Sequence, residues 1–358
     1  MSTLSTPAHA STRRALSGVE LLTAMLCIPS VSGDEAQLAS FLAGDLYAAG
    51  FDTRVDAAGN LVASRGEGCE HVALVGHLDT VPGRIAVRQD GDSLYGRGAV
   101  DAKGPLAAAL TAVMRQPRDG GTRFTVIGAV GEETTSRGAR HLAETMAAPD
   151  QLVILEPSGW QGVTIAYKGS VRLQWSLQVP AAHSAGPSMS AADRAFAFVN
   201  ALHQLAAARS GDAGRFDRVD VRVLRCDAGS DGLRDRAHVD IGVRVPLGCD
   251  LDELLCDVRA LAGEGSLDVT SAEPPVRTDR ASRLARRFVQ AIRAQGGSPR
   301  FKLKTGTSDL NVLVPAWRCP AIAYGPGDSM LDHAPDEHIE ISEFERSVDV
   351  LDRVLRAL

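Results

Sequence analysis

Several things are missing from this 358-residue chain, and each absence narrows what it can be. No apolar run approaches the roughly 20 residues needed to cross a bilayer. No block of one charge sign occurs, and a net charge of −6 spread along the chain argues against nucleic acid or an anionic membrane as the main partner. The six cysteines, Cys27, Cys69, Cys226, Cys249, Cys256 and Cys319, show neither a C-x-x-C pair nor zinc-finger spacing. They read as reduced thiols of a cytoplasmic protein, so any metal must be held by His, Asp and Glu. No G-x-G-x-x-G follows the first strand of a βαβ unit, which excludes a Rossmann-type nucleotide binder. Lysine is scarce: of 38 basic residues only Lys103, Lys168, Lys302 and Lys304 are lysine. In a sequence that writes arginine wherever it can, the survivors mark places where a guanidinium does not replace a compact ammonium. At least one of Lys302 and Lys304 is therefore expected at a substrate or site. Met1 to Ser17 is Ser/Thr/Ala-rich with Arg13-Arg14, but the apolar run after it contains Glu20 and breaks at Pro29. That is a poor signal peptide and reads as a ragged tail entering a helix.

What is present begins with helical spacing over Ser17–Leu26 and Asp34–Ala49, with Ser32 or Asp34 placed to cap the second helix. Short strands follow at Phe51–Val55 and Asn60–Ser64. His71–Val75 is a compact apolar run that reads as a buried strand, and it ends on Gly76-His77-Leu78-Asp79. Asp101 stands just ahead of an Ala-rich helix that runs to Arg115. Arg123–Val130 is another strand and runs into Gly131-Glu132-Glu133; a helix over Gly138–Met146 and a buried strand, Gln151–Leu155, lead to Glu156-Pro157. Strands alternating with helices imply an α/β fold, a mainly parallel sheet with helices on both faces. Ligands collect beyond the carboxyl ends of such strands. His77, Glu132-Glu133 and Glu156 each stand at one of those ends.

Near Gly162 the pattern changes. Val171–Val179 alternates apolar and polar, as an antiparallel strand with one wet face does, and Val219–Leu224 and His238–Val245 alternate again around an amphipathic helix, Ala191–Ala208. A smaller α+β unit over 167–272 is thus inserted in a catalytic domain made of 1–166 and 273–358. Its strand edges suit it to dimerisation, so a homodimer is expected. The first pattern returns with a helix over Arg283–Gln295, a strand at Ala321–Tyr324, and a last helix begun by the capping box Ser342-x-x-Glu345.

His77, Asp101, Glu133, Glu156 and His333 offer five oxygen or imidazole ligands, where three suffice for one catalytic zinc, so they invite two ions sharing a carboxylate. The motifs His77-Leu-Asp79, Gly98-Ala-Val-Asp101-Ala-Lys-Gly104, Gly131-Glu-Glu133, Glu156-Pro157 and the late His333 resemble those of the di-zinc amidohydrolases that include aminoacylase, carboxypeptidase G, acetylornithine deacetylase and succinyl-diaminopimelate desuccinylase. The match runs from Ser17 to the end. The resemblance implies two Zn2+, with Co2+ a substitute: Asp101 bridging, His77 and Glu156 on one ion, Glu133 and His333 on the other. It implies that Asp79 hydrogen-bonds His77, that Glu132 is the general base, that the Asp101-Ala102 peptide is cis, and that His183 reaches a partner subunit's site to stabilise an oxyanion.

Three phrases narrow the resemblance: Tyr95–Leu106, Lys304-Thr-Gly-Thr-Ser-Asp-Leu-Asn311 and Tyr324–His338 are similar to the hydrolases that release lysine or ornithine from the γ-glutamyl end of a small acidic amino-group carrier protein of the LysW type. Acetylornithine or acetyl-lysine deacetylation is the alternative. Arg244, Lys304 and Thr307 are the candidate substrate contacts, Arg244 for a substrate carboxylate. Gly229–Asp235 replaces an Asn-rich segment usual in the wider group. A basic patch of Arg277, Arg280, Arg283, Arg286 and Arg287 is the candidate carrier dock. His71, His141, His203, His238 and His338 are assigned to surface or packing.

Overall fold

A computed structural model describes residues 15–183 and 185–358. The expected N-terminal tail lies almost wholly outside them. In chain order the first elements are α1 (Gly18–Leu26), α2 (Ala36–Ala48), β1 (Asp52–Val55), β2 (Leu61–Arg65), β3 (Glu70–His77), β4 (Arg88–Asp90) and β5 (Ser93–Tyr95). Next come α3 (Lys103–Met114), β6 (Thr122–Ala129), α4 (Arg137–Thr145), β7 (Gln151–Ile154), β8 (Gly162–Tyr167), β9 (Gly169–Pro180), α5 (Ala191–Ser210), β10 (Asp220–Ser230) and β11 (Arg234–Val245). The rest are α6 (Leu251–Leu261), β12 (Ser266–Glu273), β13 (Val276–Arg277), α7 (Arg283–Ala294), β14 (Arg300–Lys304), α8 (Leu310–Trp317), β15 (Ala321–Ala323), β16 (His338–Glu340) and α9 (Ile341–Leu355).

The chain forms two compact units. One comprises Met1–Val163, Ser282–Arg300 and Ala323–Leu358; the other comprises Thr164–Ala281 and Phe301–Ile322. The second unit contains the whole of 167–272 and takes in Phe301–Ile322 as well.

In the first unit the strand order is β1-β2-β6-β3-β7. β3 runs parallel to both β6 and β7, while the β1-β2 hairpin joins β6 antiparallel. The parallel centre follows from sequence: β3, β6 and β7 are short, β-branched and buried on both faces. α3 is buried from Lys103 to Val113, as an apolar all-round helix must be, and packs on β3, α1 and α9. β16, β5 and β4 form a separate small sheet; its strands are three residues each, too short to register as periodicity.

Two caps differ from the sequence reading. Ser32 does not cap α2; its hydroxyl donates to Asp79 Oδ2 at 2.8 Å. α9 starts at Ile341, and Ser342 donates its hydroxyl and N–H to Asp92, at 2.6 and 3.2 Å, so a distant carboxylate replaces the expected capping box. Both arise because a short polar side chain accepts whichever partner the tertiary fold brings close, and the sequence shows only the local one.

The second unit holds a separate antiparallel sheet, β10-β11-β9-β12. Along β9 the side chains of Val171, Leu173, Trp175 and Leu177 are buried, with exposed polar residues between them. α5 covers that face, Trp175 stacking on Phe198 with ring centroids 5.4 Å apart. Gly229–Asp235 makes the tip of the β10-β11 hairpin, with residues 231–233 as its turn. Lys168 is wholly buried, its ammonium donating to the carbonyls of Arg215 and Arg218 and to Asp220 Oδ2 at 2.7 Å.

Candidate metal centre

The first unit gathers seven of the expected site residues beyond the carboxyl ends of its parallel strands. His77 is the last residue of β3, Glu132 and Glu133 follow β6, and Glu156 lies two residues past β7. Asp101 comes from the loop before α3, and His333 from the loop before β16. Gly131 turns the chain out of β6 at φ 72°, a conformation that favours glycine, and places both glutamates over the strand ends.

His77 is 1% exposed. Its Nδ1–H donates to the Asp79 carbonyl at 2.8 Å, which turns Nε2 into the cluster, 3.1 Å from Asp101 Oδ1, to which it is hydrogen-bonded, and 4.0 Å from Glu156 Oε1. The expected Asp79–His77 contact is thus made through the backbone, with the Asp79 carboxylate 3.6 Å from Nδ1. That carboxylate is engaged elsewhere: Oδ1 accepts the Glu132 N–H and Oδ2 the Glu133 N–H, each at 3.1 Å. The other oxygen of Asp101 lies 3.3 Å from His333 Nε2, which is 2.9 Å from Glu133 Oε1. Asp101 therefore spans two groups of potential ligands, His77–Asp101–Glu156 and Asp101–Glu133–His333, the atoms of each lying within 4.8 Å of one another. The Asp101-Ala102 peptide is cis, as the resemblance implies.

The electrostatics tests whether a cation fits. Five carboxylates, those of Asp79, Asp101, Glu132, Glu133 and Glu156, share the site with two imidazoles. Burial by itself pushes the Asp101 carboxyl up, but hydrogen bonds from His333 and His77 hold it far below the usual range. Asp101 and Glu133 raise His333 to about 10, and His77 is raised well above its ordinary value by Asp101 and Asp79 against the opposing effect of burial. The imidazoles are drawn toward holding protons because the cluster is short of positive charge. A divalent ion supplies that charge, and an all-nitrogen-and-oxygen donor set suits zinc, cobalt or manganese.

Three bracing residues were not legible as such in the sequence. Ser32 anchors Asp79, and Ser30 donates to the Leu78 carbonyl at 2.7 Å. Asn60, fully buried, accepts the Val130 N–H and donates to the Gly138 carbonyl, pinning both ends of the loop that carries Glu132 and Glu133. A signal existed for Asn60 alone: a buried amide between two apolar strands demands partners.

The model of Peptidase family M20/M25/M40 matches residues 73–357. The chain belongs to this family. Among M20 relatives, a protein named LysW-lysine hydrolase from Deinococcus radiodurans is 43% identical over 351 residues, covering 95% of this chain and 96% of that one. A putative LysW-lysine/LysW-ornithine hydrolase from Thermococcus kodakarensis is 36% identical over 340 residues, covering 95% and 92%. The M20 fold is shared with a metallo-carboxypeptidase from Sulfolobus solfataricus (TM-score 0.75, 17% identity, 94% and 97% covered). It is shared also with a tripeptidase from Staphylococcus aureus (TM-score 0.77, 18% identity, 97% and 98% covered).

The remaining site candidates, His183, Arg244, Lys304 and Thr307, lie in the second unit. His183 is exposed, with Nδ1 accepting the Ala185 N–H at 3.1 Å, so its proton sits on Nε2. Arg244 on β11 donates to Thr307 Oγ1 at 2.8 Å, bringing two of the three proposed substrate contacts together. Lys304 ends β14, its carbonyl accepting the Lys168 N–H at 3.2 Å. Of the proposed basic patch, Arg283 is committed to Glu70 and the Leu358 carbonyl.

Proposed function

We propose that this M20 enzyme hydrolyses the amide that joins lysine or ornithine to the γ-glutamyl end of a LysW-type carrier protein. The observation that carries this reading is the 43% identity, over nearly the whole of both chains, to the relative named LysW-lysine hydrolase. The convergence of His77, Asp101, Glu133, Glu156 and His333 supports a metal-dependent reaction, with two Zn2+ as the proposed ions and Co2+ as a substitute. When bound, such ions lower the pKa of a water toward about 7 and polarise a carbonyl.

The chain's own residues do the rest. His77 and Glu156 would hold one ion, Glu133 and His333 the other, with Asp101 shared. Glu132 is the proton carrier: its carboxylate accepts a proton of the attacking water as the new C–O bond forms and then returns it to the nitrogen of the departing amine, whereupon the amide C–N bond breaks. Asp79 fixes where Glu132 stands by accepting its backbone N–H. His183, whose Nδ1 accepts the Ala185 N–H, would present Nε2–H to an oxyanion in a partner's site, a role that calls for a homodimer formed through 167–272. Arg244, Thr307 and Lys304 are the proposed contacts for substrate carboxylate and backbone. A cytoplasmic location belongs to the same reading.

The test is release of lysine from carrier-linked lysine by zinc-loaded protein, beside Glu132→Ala. Turnover by the wild type and none by a variant that retains metal supports the assignment. Cleavage of acetyl-ornithine or acetyl-lysine with no action on the carrier overturns the substrate and leaves the reaction class.

A further inference from the structure

Glu337 is a carboxylate at 1% exposure whose two oxygens are fully spoken for. Oε1 accepts the N–H groups of Val100 and Asp101 at 2.9 and 3.1 Å; Oε2 accepts the Gly98 N–H at 3.1 Å and Arg97 Nη1 at 2.8 Å. Four donors converge on one side chain, three of them successive or near-successive backbone amides of the loop that carries Asp101. Gly98 takes φ 88°, which lets that loop fold its N–H groups inward around the carboxylate. The same residue belongs to the other loop of the site: it lies four positions after His333 and directly before β16, whose His338 pairs with Tyr95 of β5. Its carbonyl accepts the Gly96 N–H at 3.2 Å, and Arg97 Nη1 also reaches the Ala334 carbonyl at 3.1 Å. His333 itself sits at φ 63°, a backbone that needs holding in a residue other than glycine.

We infer that Glu337 is a positioning residue that sets the spacing between Asp101 and His333, and so tunes how tightly the Asp101–Glu133–His333 group holds its divalent ion. This rests on the metal-dependent reading above. The physical reason is that the loops of these two ligands approach from opposite ends of the first unit's sequence. Asp101 is tied at its own N–H by Glu337, while His333 is tied through the chain that Glu337 terminates. Buried carboxylates fixed by several N–H groups are costly to disturb, because each donor would be left unpaired. The glutamine variant shows why charge and shape both count: whichever way the amide turns, its NH2 faces two N–H donors and one pair is lost. Outer partners of this kind typically alter metal affinity or activity by about 10–100-fold.

The test is the apparent Kd for Zn2+ and Co2+, measured by competition with a chromophoric chelator on folded, metal-stripped protein, for wild type and Glu337→Gln. Expected is a 10–100-fold weaker Kd, with a shifted Co2+ absorption band, in a variant whose far-UV circular dichroism matches wild type. Glu343→Gln is the control. Glu343 accepts the Trp160 N–H at 2.9 Å and the Gly327 N–H at 3.3 Å on the same oxygen, Oε1, which the amide oxygen of glutamine replaces, so Kd stays within twofold. A folded Glu337→Gln protein with wild-type Kd overturns the inference. If that variant does not fold, Arg97→Met decides: weakening of at least threefold sustains the inference, and an unchanged Kd overturns it. A wild type that binds no divalent ion overturns the metal reading itself, and this inference with it.

Discussion

Asp79 holds Glu132 and Glu133 together: one carboxylate oxygen accepts the backbone N–H of the first, the other accepts that of the second, both at 3.1 Å. The proposed proton carrier and a proposed metal ligand are thus fixed by a single side chain. Asp79→Asn keeps the shape but turns an NH2 toward one of these donors. The expected outcome is a fall in kcat of about 10–100-fold with a smaller change in KM. Steady-state kinetics on the carrier-linked substrate checks it, and a kcat within twofold of wild type refutes the role.

Glu132→Gln removes only the proton carrier. Loss of general-base catalysis is expected to cost about 10²–10⁴ in kcat, with bound metal unchanged by elemental analysis. A variant that loses its metal as well would reassign Glu132 to the ligand set.

The lysines separate into two classes. Lys103 and Lys168 are buried, the first donating to the carbonyls of Met25 and Ile28 at 3.2 and 2.8 Å, and burial pushes its ammonium down to about 8. A planar guanidinium does not fit either place. Lys103→Arg and Lys168→Arg are each expected to destabilise by about 1–3 kcal/mol through overpacking, and Lys302→Arg to change nothing measurable. Urea unfolding of metal-free protein distinguishes them; equal midpoints for all three would refute the distinction.

Asp220 gives a pH dependence. Burial pushes its carboxyl up, but hydrogen bonds from Lys168 and Arg218 outweigh this and hold it below its ordinary value of 3.8. The folded state therefore binds this proton less readily than the unfolded state, so the ionised carboxylate stabilises above pH 3.8 and the contribution is lost as pH falls through the lower folded value. The stability gap between wild type and Asp220→Asn should be flat from pH 5 to 7 and close below pH 3.8. Urea midpoints at each pH report it. A gap that widens on acidification reverses the assigned sign.

Much of the site was legible because its residues sit at strand ends. His77, Glu132, Glu133 and Glu156 each follow an apolar run whose length and β-branching identify a buried strand, and strand ends in parallel sheets are where ligands gather. The α5 helix and the alternating β9 were legible for the same reason, a period that burial imposes. What escaped was held by partners distant in sequence. Ser32 looked like a helix cap and instead anchors Asp79; Ser342 looked like half of a capping box and instead donates to Asp92. Glu337 stood inside a quoted motif with no role, because four donors from 236 to 240 residues away give it one. α6, β12 and α8 were not read from the sequence.

The parallel register has a consequence for the maturing protein. Val75 stands opposite Ile127 on one side and Ile154 on the other, and His77 opposite Ala129. Because side chains alternate faces, a slip of one residue in any of these strands carries its ligand away from the others. Only a correctly paired sheet would then bring the proposed ligands together, so uptake of an ion would act as a gauge of assembly: mispaired chains would stay empty and lack the extra stability that a bound ion would confer on the native register.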